Sequence, residues 1–184
     1  LEPIALYMTK DLHHEGDGLW TFSYPEPECK QETESTVNLQ ISTYGTGKDV
    51  CILTYGNGYF LSRQAEKLLA NKNINCRVID LRWLAPLDEK GILEQASQCD
   101  RILIVDECRK TGSISEALMA LLIEEGLNNK PIERICAQDS FIPLGSAAYE
   151  VLPSCQNIVD KVTTMTGSTK NKRVTKGEVT KDFS

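Results

Sequence analysis

Apolar positions along the chain fall into two alternating periods. Four short runs, VCILTY (50–55), CRVIDL (76–81), RILIVD (101–106) and ERICA (133–137), are each followed by turn residues and then by a helical stretch. Runs dense in Val, Ile and Leu with little polar alternation read as strands buried on both faces, and the helical stretches between them supply the covers. The pattern predicts an α/β fold with a largely parallel sheet and helices on both sides. In the first helix Leu61, Ala65, Leu68 and Leu69 recur at one face. In the second, Asp88 caps a segment whose stripe is Ile92, Leu93, Ala96 and Cys99. The third opens on an S-x-x-E capping box, Ser113 with Glu116, and runs to Gly126 with Ile114, Ala117, Leu118, Leu121 and Leu122 as its inner face. An Ala-rich turn at 146–152 precedes Pro153 and Ser154, which open a last helix carrying Ile158, Val159 and Val162.

Before residue 49 the pattern is different. The opening LEPIALYM is apolar and starts on Leu, and it reads as a piece cut from a longer protein. From about Thr9 to Lys48 the chain is polar, acidic and bears Pro25 and Pro27; one alternating stretch, VNLQIS (37–42), predicts a linker with a single short strand. The division expected is therefore a leader and linker over 1–48, a folded domain over 49–165 and a flexible tail over 166–184.

Charge sharpens this division. Residues 1–49 carry nine acids and three bases, residues 50–163 fifteen and twelve, and residues 164–184 two and five. Phosphate binding depends on clustered positive charge, so the acidic body argues against a nucleic-acid partner. The basic tail, rich in Lys, Thr and Gly, reads as a solvated end. No apolar run is long enough to span a bilayer and no secretory leader is evident, which predicts a cytosol-like compartment and no membrane contact. The seven cysteines contain no C-x-x-C pair and read as reduced thiols; Cys51, Cys76, Cys99 and Cys136 sit in or beside apolar runs as small hydrophobes, and Cys108 alone is flanked by acid and base.

Candidate chemistry is sparse. Gly16-Asp17-Gly18 resembles a metal–diphosphate motif, yet lacks the strand before it, the helix after it and a downstream Asn at short range. Gly56-Asn57-Gly58 lacks the third glycine of a dinucleotide fingerprint, Leu61 standing there, and reads as a tight turn. His13 and His14 are adjacent in the polar leader and read as a solvated pair, which leaves the domain body without a histidine relay. The segment from Asp106 to Ser113 runs from the end of a strand into a helix start, where open α/β sheets bind ligands. It reads either as a capped loop with internally paired charges or as a seat, near Arg109 and Lys110, for an anion or a partner's carboxylate.

Taken in order, DVCILTYGNG, CRVIDLRWLAPLD, ILIVDECRKTGSISEAL and ICAQDSFIPLGSAAYEVLPS resemble the C-terminal domain of transketolase-like enzymes over about residues 37–163. The wording leans toward the beta chain, or a fused form, of the decarboxylating component of thiamine-diphosphate-dependent 2-oxo-acid dehydrogenases. LEPIALY likewise resembles the closing strand of a preceding pyrimidine-binding domain.

That resemblance implies a three-layer α/β/α domain whose sheet is mostly parallel with one antiparallel strand. It implies thiamine diphosphate and magnesium in the parent enzyme, held by regions outside this sequence, with no catalytic, cofactor or metal residue in this chain. It also implies partners: the remaining domains or subunits of the same enzyme in a homodimer or alpha2beta2-type assembly, and the acyltransferase core of a dehydrogenase complex. Glu107, Arg109, Lys110, Gly112, Ser113 and Asp139 are the candidates for interface or site-entrance roles. Other readings are transketolase or deoxyxylulose-phosphate synthase proper, and a free-standing flavodoxin-like ligand-binding module. A phospho-receiver is disfavoured by the absence of acid in TYGNG, and a nucleotide-dependent oxidoreductase by the broken glycine fingerprint.

Overall fold

The computed structural model describes residues 3–21 and 40–167. Five strands form one sheet: β1 (Ser42–Tyr44), β2 (Val50–Thr54), β3 (Cys76–Asp80), β4 (Ile102–Arg109) and β5 (Ile132–Ala137). Their spatial order is β1-β3-β2-β4-β5, all parallel except β1, which runs antiparallel to β3. Four helices cover it: α1 (Asn57–Ala70), α2 (Glu89–Ser97), α3 (Ile114–Glu124) and α4 (Cys155–Met165).

Side chains of successive strand residues leave the sheet on opposite faces, so each buried strand feeds two cores. Val50, Ile52, Val78, Leu103 and Val105 pack with Ala65 and Leu69 of α1 and Ile158, Val159 and Val162 of α4. Cys51, Leu53, Ile79, Ile102 and Ile104 pack on the other side with Ile92 and Ala96 of α2 and Leu118 and Leu122 of α3. This is the expected three-layer α/β/α sandwich. Each fully buried Leu or Ile contributes on the order of 1.5–3 kcal/mol, and β2, buried at every position, is the centre of both cores.

Several local expectations are corrected. Leu68 is 45% exposed and Ala117 is exposed, because the inner line of α1 runs through Tyr59, Ser62, Ala65 and Leu69 and that of α3 through Ser115, Leu118 and Leu122. The strand expected at 37–42 is found as β1 at 42–44; Gln40 and Ile41 precede it without strand pairing, and residues 37–39 lie outside the described residues, as does the tail from 168. β4 does not stop at Asp106 but continues to Arg109, since pairing with β5 resumes at Arg109↔Ala137 after an irregularity. The capping box at α3 does not form: the Ser113 hydroxyl lies 2.7 Å from that of Ser115, while Glu116 accepts the Gly112 N–H at 2.8 Å. A buried carboxylate, Asp106, takes the Ser115 N–H at 3.0 Å; an ionised acceptor outcompetes a hydroxyl for the helix's free donors. A capping box does form at α4, between Ser154 and Asn157.

The N-terminal segment is attached to α1. Leu12 is buried, its carbonyl accepts from Gln64 Nε2 at 2.8 Å, and Trp20 meets the rings of Tyr59 and Phe60 at 5.6 and 4.9 Å. The Arg63 guanidinium lies 3.3 Å over the Tyr44 ring and its Nη1 donates to the Tyr59 hydroxyl, tying β1 to α1.

Candidate functional site

The strand order reverses at β2, whose chain passes through α1 to β3 on one side while β4 lies on the other. The carboxyl ends of β2 and β4 therefore frame the crevice at which sheets of this kind bind ligands. Tyr55 follows β2 and donates from its hydroxyl to Asp106 Oδ1 at 2.6 Å. The same oxygen accepts the Cys108 N–H at 2.8 Å, and Oδ2 holds the Ser115 N–H. Burial pushes the Asp106 carboxyl up, but the hydrogen bonds from Tyr55, Cys108, Ser113 and Ser115 outweigh it and hold the group below its ordinary value. Burial and the Asp106 carboxylate together push the Tyr55 phenol far up, so the pair stands as a neutral donor and an ionised acceptor. Sequence reading placed Asp106 in the right segment but missed its role. Its partner Tyr55 stands 51 positions away, so no local pattern joins the two.

One step outward, Asn57 at the start of α1 donates from Nδ2 to Glu107 Oε1 at 2.6 Å. Burial raises the Glu107 carboxyl above its ordinary value, the Asn57 hydrogen bond opposes the shift, and the neighbouring Asp106 charge adds to it. Arg109 is held by its Nε–H, which donates to the Thr111 carbonyl at 3.1 Å. Gly112 adopts a left-handed φ of 72°, which lets the chain turn into α3.

Glu107, Arg109, Gly112 and Asp139 line one cavity of about 630 Å³, with Cys108, Ile142 and Val151 among its other walls. Four of the six candidate residues thus come together. Lys110 is exposed outside that lining, its carbonyl taken by Arg134 Nη1 at 3.2 Å, and Ser113 faces Ser115. Phe141 and Ile142 also line the cavity, Phe141 being 99% exposed, and farther along the same segment Leu144, 96% exposed, and Tyr149 are open to solvent. Of the cysteines, Cys51, Cys76 and Cys99 are buried, Cys136 is half-buried and Cys108 is exposed.

The Gly16-Asp17-Gly18 motif has a local structural use. Asp17 Oδ1 accepts the N–H groups of Leu12 and Leu19, and Oδ2 those of His13 and His14, at 2.7–3.1 Å. Desolvation pushes this carboxyl up and the four hydrogen bonds bring it well below the usual range. Those oxygens close a loop of the chain, so the donor set does not fit a metal that carries a diphosphate. Among the described residues no cluster of three or more His, Cys, Asp and Glu side chains is placed to hold a metal. No helix among them is long and apolar enough to cross a membrane.

Residues 40–158 match the family model described as transketolase, C-terminal domain, and the chain belongs to that family. Among curated relatives, the 2-oxoisovalerate dehydrogenase subunit beta of Bacillus subtilis (strain 168) is 36% identical over 95 residues, covering 50% of this chain and 29% of that protein. The pyruvate dehydrogenase E1 component subunit beta of Staphylococcus aureus is 29% identical over 133 residues, covering 71% and 41%. The 1-deoxy-D-xylulose-5-phosphate synthase of Halothermothrix orenii is 28% identical over 103 residues, covering 56% and 16%. The chain therefore spans less than half the length of these relatives. A split-gene transketolase solved as an inactive beta4 tetramer shares the fold at a TM-score of 0.63 and 22% identity, over 77% of this chain and 46% of that one.

Proposed function

We propose that this chain is the C-terminal assembly domain of a thiamine-diphosphate-dependent 2-oxo-acid dehydrogenase, as a beta chain or part of a fused chain. In this reading residues 49–165 are the domain, 1–48 the end of a pyrimidine-binding domain with its linker, and 166–184 a tail. The cofactor and magnesium sit in regions outside this sequence. Bound there, thiamine diphosphate would supply the carbanion chemistry that 2-oxo-acid decarboxylation requires. This chain's own residues supply contact surface, in a cytosol-like compartment, toward the other domains or subunits and the acyltransferase core.

The observation that carries the reading is the apolar rim. Phe141, Ile142, Leu144 and Tyr149 are all exposed within residues 141–149 after β5, and Phe141 and Ile142 also line the cavity that gathers Glu107, Arg109, Gly112 and Asp139. A contiguous exposed apolar patch marks an association surface, and truncating its aromatic anchors weakens binding most. Sedimentation equilibrium of the purified chain is expected to show reversible self-association that the double substitution F141D/L144D reduces by at least about tenfold. Calorimetry with thiamine diphosphate and magnesium is expected to be silent, as is a decarboxylation assay with pyruvate or 2-oxoisovalerate. Turnover by the chain alone, or self-association indifferent to the double substitution, overturns the reading.

A further inference from the structure

The cavity beside the rim holds charges of both signs. Arg109 is fixed by its Nε–H on the Thr111 carbonyl, and its Nη2 lies beside Gly112, 4.0 Å from where a Cβ would stand. Glu107 has one oxygen on Asn57, and Asp139, in the segment after β5, lines the same cavity. The described ion pairs are His14–Asp17 and Lys161–Glu133, so Arg109 lies within 4.0 Å of neither acid. Opposite charges that share one cavity without pairing leave the guanidinium fork open to a carboxylate and the acids open to a cation. Between them Ala137, Ile142 and Val151 supply apolar wall, and about 630 Å³ is within the range of small-molecule sites.

We propose that this cavity binds a zwitterionic small molecule, an apolar α-amino acid, with its carboxylate on Arg109, its ammonium between Glu107 and Asp139, and its side chain against Ile142 and Val151. Gly112 turns the chain beside the Arg109 fork at a left-handed φ of 72°, where a side chain is strained. Three features of the cavity select the ligand: a guanidinium, two carboxyl groups and an apolar wall. The inference rests on the cavity's own charges and stands independently of the reading as a thiamine-enzyme domain, whose tests are self-association and turnover.

Calorimetry and chemical-shift titration of the full chain with L-leucine and L-phenylalanine test it. Saturable binding in the submillimolar to low-millimolar range is expected, as suits a ligand of few heavy atoms. 4-Methylpentanoate, which lacks the ammonium, and isoamylamine, which lacks the carboxylate, are each expected to bind at least about tenfold more weakly. N-acetyl-leucinamide, which lacks both charges, is expected not to bind, and the dipeptide Leu-Leu separates a free amino acid from a peptide terminus as the preferred source of the two charges. R109Q is expected to weaken L-leucine by about tenfold or more and to erase the preference over isoamylamine; E107Q is expected to erase the preference over 4-methylpentanoate. Both side chains sit at the cavity rim, and unchanged thermal unfolding of the variants separates lost binding from lost folding. No saturable binding up to about 10 mM, equal binding of the one-charge analogues, or full affinity in R109Q overturns the proposal.

Discussion

At the scale of single residues the molecule turns on Asp106. It is fully buried, ionised and surrounded by donors from three elements: Tyr55 after β2, Cys108 on β4 and Ser115 in α3. A hydrogen bond to a charged group is worth about 1.5–3 kcal/mol, and an orphaned buried donor costs a similar amount. Asp106→Asn is expected to lower stability by about 2–4 kcal/mol, read as a reduced urea midpoint at unchanged slope. The pH dependence has a definite sign. A carboxyl held below its unfolded value stabilises the fold above that unfolded value, and the contribution is lost as pH falls through the folded value. The wild-type chain should therefore lose stability on the acid side more steeply than Asp106→Asn, and urea titrations from pH 6 down to about pH 3 compare the two slopes. Residue chemistry was only partly legible in the sequence. Cys51 and Cys76 were recognisable as core thiols from their apolar neighbours, whereas the Tyr55–Asp106 and Asn57–Glu107 pairs join residues about fifty positions apart, which no local pattern reveals.

Elements were easier to foresee than their edges. β2, β3 and β5 were legible because runs of β-branched and aliphatic residues bounded by turns admit few alternatives, and α4 because Ile158, Val159 and Val162 repeat at helical spacing. The start of α3 misled for a physical reason. An S-x-x-E spacing describes what the local side chains can reach, and a buried carboxylate from the adjacent strand reaches the same donors with a full charge. Asp88 shows the local rule holding: its Oδ1 caps α2 at Gly91 N, 2.9 Å away, and its Oδ2 also receives the Ile41 N–H ahead of β1 at 3.2 Å. Asp88→Ala is expected to cost about 1–2 kcal/mol, the usual value of an N-cap. Because the same carboxylate anchors the approach to β1, hydrogen exchange should accelerate at Ile41 and through Ser42–Tyr44 as well as in the first turn of α2. Acceleration confined to α2 would show that the second bond contributes nothing.

For the molecule as a whole, the layer plan followed from periodicity, while the attachment of residues 3–21 did not. From Thr9 on their composition is that of a polar linker, yet Leu12 is buried and Trp20 lies against Tyr59 and Phe60 of α1. A single apolar residue in a polar stretch gives no period to detect, so docking of this kind emerges only in three dimensions. Leu12→Ala is expected to remove about 2–3 kcal/mol of local stability, with the sheet core retaining its exchange protection. Limited proteolysis is the matching measurement, and cleavage within 3–21 should appear before any cut in β2 or β4.

The single reversed strand also gives the molecule a polarity. Since Ser42 lies opposite Asp80 and Tyr44 opposite Val78, β1 starts at the carboxyl ends of the parallel strands, the end of the sheet where the Arg109 cavity opens, though on the edge away from β5. The polypeptide departs at the other pole, where the Met165 carbonyl meets Arg101 at the foot of β4. A reporter joined behind α4 therefore starts from the end of the sheet away from the cavity mouth, whereas one grafted ahead of Ile41 starts from the same end as the cavity, across the full width of the sheet from β5.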